Sequence, residues 1–243
     1  MKPFLLLATR AEDDVADAEY AAFARFSGLD DRQLRRLRLE AQPLPDLDLD
    51  DWSGIIVGGS PFTSSDPEPD KSLVQRRVEA ELEALIEEVV RRDMPFLGAC
   101  YGIGTLGRYL GGVVDGTYAE PVGPVAVSLT EDGLADPLLA GLSPIFTAFV
   151  GHKEACRSLP PRTTLLATSA SCLVQMFRVG TIVYATQFHP ELDLPGIVHR
   201  VEVYRHAGYF APDELDDVVA GLGTVPVDQP HRILANFVEL HAR

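Results

Sequence analysis

Met94-Pro-Phe-Leu-Gly-Ala-Cys-Tyr-Gly-Ile-Gly-Thr-Leu-Gly-Arg-Tyr-Leu110 is the stretch on which the reading of this chain turns. A short apolar strand, Pro95 to Leu97, runs into Gly98-Ala-Cys-Tyr-Gly102, and a helix-like segment from Ile103 to Leu110 follows. Strand, tight turn and helix in that order make a nucleophile elbow, with Cys100 in the nucleophile position. Glycines at 98 and 102 suit such a turn, because side chains there would crowd the approaching strand and helix. The turn sets Cys100 at a helix N-terminus, where the local positive potential favours thiolate over thiol. The same window also reads as a buried structural cysteine beside a Gly-rich turn, so other segments have to decide between the two.

On the N-terminal side, Phe4 to Ala8 is a continuous apolar run without alternation, which predicts a fully buried strand. Asp14 to Phe26 places Val15, Ala18, Ala22 and Phe26 on one helical face. Leu34 to Leu39 alternates with Arg and predicts a strand near an edge, and Gly54 to Val57 is a third buried strand ending at Gly58-Gly59-Ser60-Pro61. A polar, Pro-rich loop over 62–70 leads into a long helix from Ser72 to Arg92. Strands alternating with helices predict an α/β fold with a mainly parallel central sheet.

The pattern changes after Gly112. Short strands are predicted at 113–114, 122–129, 146–150, 164–168, 173–177 and 182–187, with Gly180 placed to turn a hairpin. Residues 134–141 read as a loop or a single helical turn. Helices are expected over 196–206 and 231–243, and one starting at Pro212. The stretch 205–230 could serve as a lid, a dimer surface or a partner-docking element.

The chain of 243 residues is 46% hydrophobic and 23% charged, enough for one sizeable core. Its 36 acidic and 21 basic residues leave a net charge of −15, which repels nucleic acid and anionic membranes. Three cysteines, Cys100, Cys156 and Cys172, make no disulfide framework and suit a reducing, cytoplasmic setting. The apolar run at 4–8 is too short for a signal-peptide core, and nothing approaches a membrane span. Cys156 and Cys172 lack elbow context and read as small buried hydrophobes. His199, His206, His231 and His241 lack metal-ligand spacing with acids or Cys, so no metal site is expected.

Two further segments carry chemistry. In Ile182-Val-Tyr-Ala-Thr-Gln-Phe-His-Pro-Glu191 an apolar strand ends at Gln187-Phe-His-Pro-Glu191. Extended residues two apart share a side, so His189 and Glu191 are placed to meet, and Pro190 holds the local path. A carboxylate bonded to one imidazole nitrogen orients the ring, and the other nitrogen can then take a thiol proton. The Gly58-Gly59 loop follows a buried strand, where a glycine lets a backbone N–H reach a developing oxyanion. Nucleophile, oriented base and oxyanion donor thus each fall at the predicted end of an apolar strand.

On these segments the chain resembles the class I, triad-type glutamine amidotransferase family, and most closely its stand-alone GMP-synthase-like members. The likeness in order and spacing spans about residues 50–195. It implies a flavodoxin-like three-layer open sheet with a small antiparallel β extension. It also implies one amidotransferase unit over 1–243, with a core of about 1–195 and a helical extension of about 196–243. Residue by residue, it implies that Cys100 attacks the glutamine side-chain amide, that His189 is general base and acid, and that Glu191 orients it. The backbone N–H groups of Gly59 and Tyr101 would hold the oxyanion, with Gly58, Ser60 and His152 as candidate substrate contacts and Gln175 a weaker one. No cofactor is implied; a separate synthetase or acceptor protein would take the ammonia. One departure stands out: the family's elbow carries Gln two residues after its second glycine, and here that position is Gly104. A γ-glutamyl peptidase or hydrolase on the same triad is therefore the alternative, and a catalytically quiet module of the same fold is a third reading.

Overall fold

A computed structural model describes all 243 residues. The strands are β1 (Phe4–Ala8), β2 (Leu34–Arg38), β3 (Gly54–Val57), β4 (Phe96–Ala99), β5 (Val114–Asp115), β6 (Glu120–Leu129), β7 (Ile145–His152), β8 (Ala155–Cys156), β9 (Thr163–Thr168), β10 (Met176–Val179) and β11 (Val183–Thr186). The helices are α1 (Asp13–Ser27), α2 (Leu73–Arg92), α3 (Tyr101–Tyr109), α4 (Glu131–Ala135), α5 (Leu194–Val203), α6 (Leu215–Leu222) and α7 (His231–His241). Nine strands form one sheet in the order β2-β1-β3-β4-β11-β10-β9-β6-β7, and β5 pairs with β8 separately. The first five run parallel; the rest of the sheet is antiparallel. The antiparallel extension expected after Gly112 is thus joined edge to edge to the parallel strands.

Alternation along the buried strands explains the three layers. Phe4 and Leu6 point to one face, where they pack with Phe23 of α1 and Phe237 of α7. Leu5 and Leu7 point to the other, against Val78, Leu82, Ile86 and Val89 of α2. Both faces of the parallel half are covered, so its strands read as unbroken apolar runs. β2 is the edge strand, and its arginines stay partly exposed. Ser72 begins α2 by accepting a hydrogen bond from the Gln75 N–H at 3.0 Å.

Element boundaries move by a few residues. The strand expected over 173–177 sits at Met176–Val179, because Ser169–Gln175 is tied into a loop in which the Ser169 hydroxyl accepts from the Cys172 N–H. The helix after the elbow starts at Tyr101, with Cys100 as its cap, and the helix expected at 196 starts at Leu194, behind an Asp193 cap. The stretch over 134–141 holds the end of α4 and a short 3-10 turn at Pro137–Leu139. No helix is long and apolar enough to cross a membrane.

Candidate active site

In the strand order 2-1-3-4-11 the sequence direction of the parallel sheet reverses between β1 and β3, and ligand crevices open at the C-terminal ends of such strands. Thr9 and Arg10 follow β1, Gly58 to Ser60 follow β3, Cys100 follows β4, and Gln187 to Glu191 follow β11. Four strand ends therefore bring together the three segments singled out in the sequence, and add Arg10.

Cys100 has φ 53° and ψ −88°, a conformation that L residues rarely adopt and that costs on the order of 1–3 kcal/mol. It is pinned there by its N–H, which donates to the Thr186 carbonyl at 2.8 Å. The crowding expected at the two elbow glycines falls on one of them. A Cβ at Gly98 would lie 2.8 Å from the Gly102 Cα, whereas one at Gly102 would make only ordinary contact with Val57 at 3.6 Å. The helix approaches the strand at 98; position 102 has room for a methyl group beside β3.

His189 is buried, and its Nδ1 donates to Glu191 Oε1 at 2.8 Å, leaving the other ring nitrogen for Cys100. Burial works against a charged imidazole, but the Glu191 carboxylate and the Cys100 sulfur outweigh it and push His189 up to about 9. Burial likewise favours a neutral Glu191, yet His189 and Arg200 hold its carboxyl well below the usual carboxylate range. Arg200 Nη1 and Nη2 each donate to Glu191 Oε1 at 3.3 Å, and Nη2 also donates to Glu19 Oε1 at 3.3 Å. Arg10 Nε donates to the same Glu19 oxygen at 2.9 Å. A chain of buried charges thus runs His189–Glu191–Arg200–Glu19–Arg10.

Gly59 packs directly on this group. A Cβ there would stand 2.7 Å from Arg10 Nη2 and 2.7 Å from His189 Cε1. Neither the Gly59 nor the Tyr101 N–H bonds another backbone group, so two donors flank Cys100 uncommitted. Ser60 lines the hollows beside Cys100, its hydroxyl accepting from the Phe62 N–H at 3.0 Å. Gly58 lines neither hollow: its N–H is spent on the Leu7 carbonyl at 3.0 Å and its Cα faces Glu19. His152 borders the site, but both ring nitrogens are engaged, with the Glu154 carbonyl at 2.9 Å and Glu120 Oε2 at 2.8 Å. Gln175 donates to the same Glu120 oxygen at 2.7 Å, next to the end of β7. These two residues tie the end of β7 and the Glu154 backbone to Glu120.

The space by Gly104 is filled from elsewhere in the chain. A Cβ at 104 would come 3.1 Å from Glu154 Oε1 and 3.2 Å from Ser64 Oγ. The Glu154 carboxylate accepts from the Ser64 and Ser65 N–H groups at 2.8 and 2.6 Å. Gln187 borders the same hollow, and its buried Oε1 has no partner. Arg10, Glu19, Arg200, Glu154 and Gln187 carry no role in the sequence reading. Gln187 stood inside the quoted motif; the others show only as charged residues next to apolar runs.

Cys156 and Cys172 are buried, and burial pushes their thiols up to about 12 and about 11. No group of three or more His, Cys, Asp or Glu side chains is arranged to hold a metal ion. Tyr204, Tyr209 and Phe210 lean over the site, and α5 and α6 pack on Phe149 of β7 through Ile197, Val201 and Leu222. Within 205–222, Tyr209 and Phe210 border the crevice, while Leu222 of α6 packs beside it on Phe149.

Comparison with known proteins gives the family and the fold. A glutamine-hydrolyzing GMP synthase subunit of Methanothermobacter thermautotrophicus is 27% identical over 70% of this chain and 85% of its own length. The subunit of the same name from Sulfurisphaera tokodaii is 31% identical over 59% of this chain and 70% of its own. Among solved structures, a glutamine amidotransferase from Thermotoga maritima covers the whole of both chains with a TM-score of 0.78 at 18% identity, a likeness of fold. The family model for glutamine amidotransferase class-I matches residues 31–195, which hold Cys100, His189 and Glu191. The chain belongs to the class-I glutamine amidotransferase family.

Proposed function

We propose that this protein hydrolyses the side-chain amide of glutamine through Cys100, His189 and Glu191, releasing ammonia to an acceptor held by a separate protein. The observation that carries the reading is the meeting of a strained Cys100 with a buried His189 whose Nδ1 is bonded to Glu191 at 2.8 Å. His189 takes the thiol proton, and the sulfur attacks the amide carbon. The N–H groups of Gly59 and Tyr101 stabilise the oxyanion, a contribution of about 3–4 kcal/mol per donor in such sites. His189 returns the proton to the leaving nitrogen, ammonia departs, and water releases glutamate from the γ-glutamyl thioester. The buried Glu191 stabilises the imidazolium between the two transfers. We read all 243 residues as one unit, with a core of about 1–195 and a covering extension after 196, in a cytoplasmic setting that suits three free cysteines. The relatives are named as subunits of a synthase, which supports a separate synthetase partner.

The test is ammonia and glutamate release from glutamine, with Cys100→Ala as control, together with mass analysis after treatment with a glutamine-analogue alkylator. Turnover that needs Cys100, and an adduct on Cys100, are expected. No adduct and no turnover would point to the quiet module. A γ-glutamyl peptidase is the second reading, favoured by a hollow on the His189 side that ammonia would leave unfilled.

A further inference from the structure

Two hollows meet at Cys100. One lies on the elbow-helix side and is bordered by Tyr101, Gly104, Glu154 and Gln187. The other is bordered by Arg10, His189, Val122, Val150, Val201 and Phe210. Cys100, Ser60, Gly151 and Tyr209 border both; His189 borders only the second.

That division has a chemical meaning. Thioester formation cuts the substrate at its amide C–N bond. The acyl part stays on the sulfur with its oxygen toward the Tyr101 and Gly59 N–H groups. The leaving nitrogen must take its proton from His189 and so departs on the side that His189 borders. Ammonia is one heavy atom without apolar surface or negative charge. The hollow on that side has apolar walls from β6, β7 and α5 and two guanidinium groups, of which Arg200 is spent on Glu191 and Glu19, leaving Arg10. Arg10 is only 3% exposed, and Glu19, reached through Nε, is its only carboxylate partner. Its Nη2 and the His189 ring edge come within 2.7 Å of one point at Gly59, so the cation stands beside the reacting atoms. A buried guanidinium whose terminal nitrogens meet no carboxylate asks for a planar anion.

We propose that this second hollow is a leaving-group pocket, and that the protein cleaves γ-glutamyl amides of apolar amino acids, with Arg10 holding the α-carboxylate of the departing amino acid. The inference rests on the thiol mechanism above and names a further substrate class for the same site. Atoms balance as in that mechanism. The C–S bond forms and the C–N bond breaks, the thiol proton passes through His189 to the leaving amine, and a free amino acid departs. Water then supplies hydroxyl to the acyl carbon and a proton that returns through His189 to the thiol.

The experiment compares γ-glutamyl-leucine, γ-glutamyl-leucinamide and glutamine with the purified protein, reading kcat/KM from released leucine, leucinamide or ammonia. The two dipeptides share size and differ in the carboxylate. The acid is expected to be favoured over the amide by at least ~10-fold, the size of a charge-assisted hydrogen bond. In Arg10→Gln that preference shrinks to within ~3-fold. Because each ratio is taken within one protein, altered folding cancels. Equal rates for acid and amide in the native protein, or an unchanged preference in Arg10→Gln, overturn the proposal. If Arg10→Gln does not fold, Val201→Phe serves instead: it is expected to cost γ-glutamyl-leucine at least ~10-fold relative to glutamine, and an unchanged ratio overturns the pocket. Turnover of glutamine with neither dipeptide cleaved overturns the pocket and leaves the glutaminase reading standing; no turnover of any of the three overturns both.

Discussion

Five parallel strands and four antiparallel ones lie side by side in one sheet, and they serve Cys100 differently. The parallel half delivers backbone and charge. Its strand ends carry the Gly59 N–H, Cys100, His189 and Arg10, each on a loop of a few residues anchored by a fully buried strand. The antiparallel half delivers shape. Val122 and Val150 come from it, and α5 with the segment after it brings Val201, Tyr204 and Phe210 to the crevice. Reacting atoms need sub-ångström placement, which short loops on buried strands provide; a pocket wall needs only surface. On the proposed function, changes in the parallel half should affect every substrate alike, and changes in the antiparallel half should affect which substrate is taken.

The sharpest way to break this contrast is Cys100→Ala. Turnover of every substrate is expected to fall by ~10³-fold or more with the fold retained by circular dichroism, and His189→Ala should be similar. One substrate surviving in Cys100→Ala would detach that activity from the elbow. Next is Arg200→Met. Its guanidinium faces two buried carboxylates, Glu19 and Glu191, so its loss should cost about 3–5 kcal/mol in denaturant unfolding. A cost within the range of a surface substitution would show that the charge chain is not holding the site together.

Protonation gives a third. His189 binds its proton more tightly folded, at about 9, than unfolded, at roughly 6.5. Its contribution to stability is therefore full below the unfolded value and is lost as pH rises through about 9. Glu191→Gln removes the carboxylate that raises it. Between about pH 6 and about pH 10 the native protein should lose more stability than Glu191→Gln, by on the order of 1–3 kcal/mol. Equal slopes would separate His189 from Glu191.

The elbow supplies two smaller effects. Gly98→Ala should cost about 1–3 kcal/mol, because its Cβ meets backbone at 2.8 Å, while Gly102→Ala should stay within about 0.5 kcal/mol of the native protein. Cys100→Gly should be more stable than Cys100→Ala by about 1 kcal/mol, since glycine carries φ 53° without strain. Thermal melts of the four variants measure both differences.

Local chemistry was legible in the chain. Unbroken apolar runs at 4–8 and 54–57 mark strands buried on both faces, and Gly98 beside Cys100 marks a backbone crossing. His189 and Glu191 are two residues apart; they meet not in extended chain but in a turn after β11, where the Leu192 N–H faces the His189 carbonyl, so their contact is still local. Boundaries after 169 were less legible, because side-chain bonds of Ser169 set where β10 begins. Glu19 and Arg200 stand 181 positions apart and meet only through folding. Burial of a charge cannot be read from a charged residue; it depends on what packs around it. Glu154 filling the space at Gly104, and Ile197 and Val201 of α5 lining the His189 side, are equally matters of long-range packing. The groups proposed to attack, to accept the proton and to bind the oxyanion could be named from the chain, because short spacings at the ends of single strands specify them. Their surroundings had to wait for the fold. A pocket wall is assembled from strands and helices whose separation along the chain carries no record of their meeting.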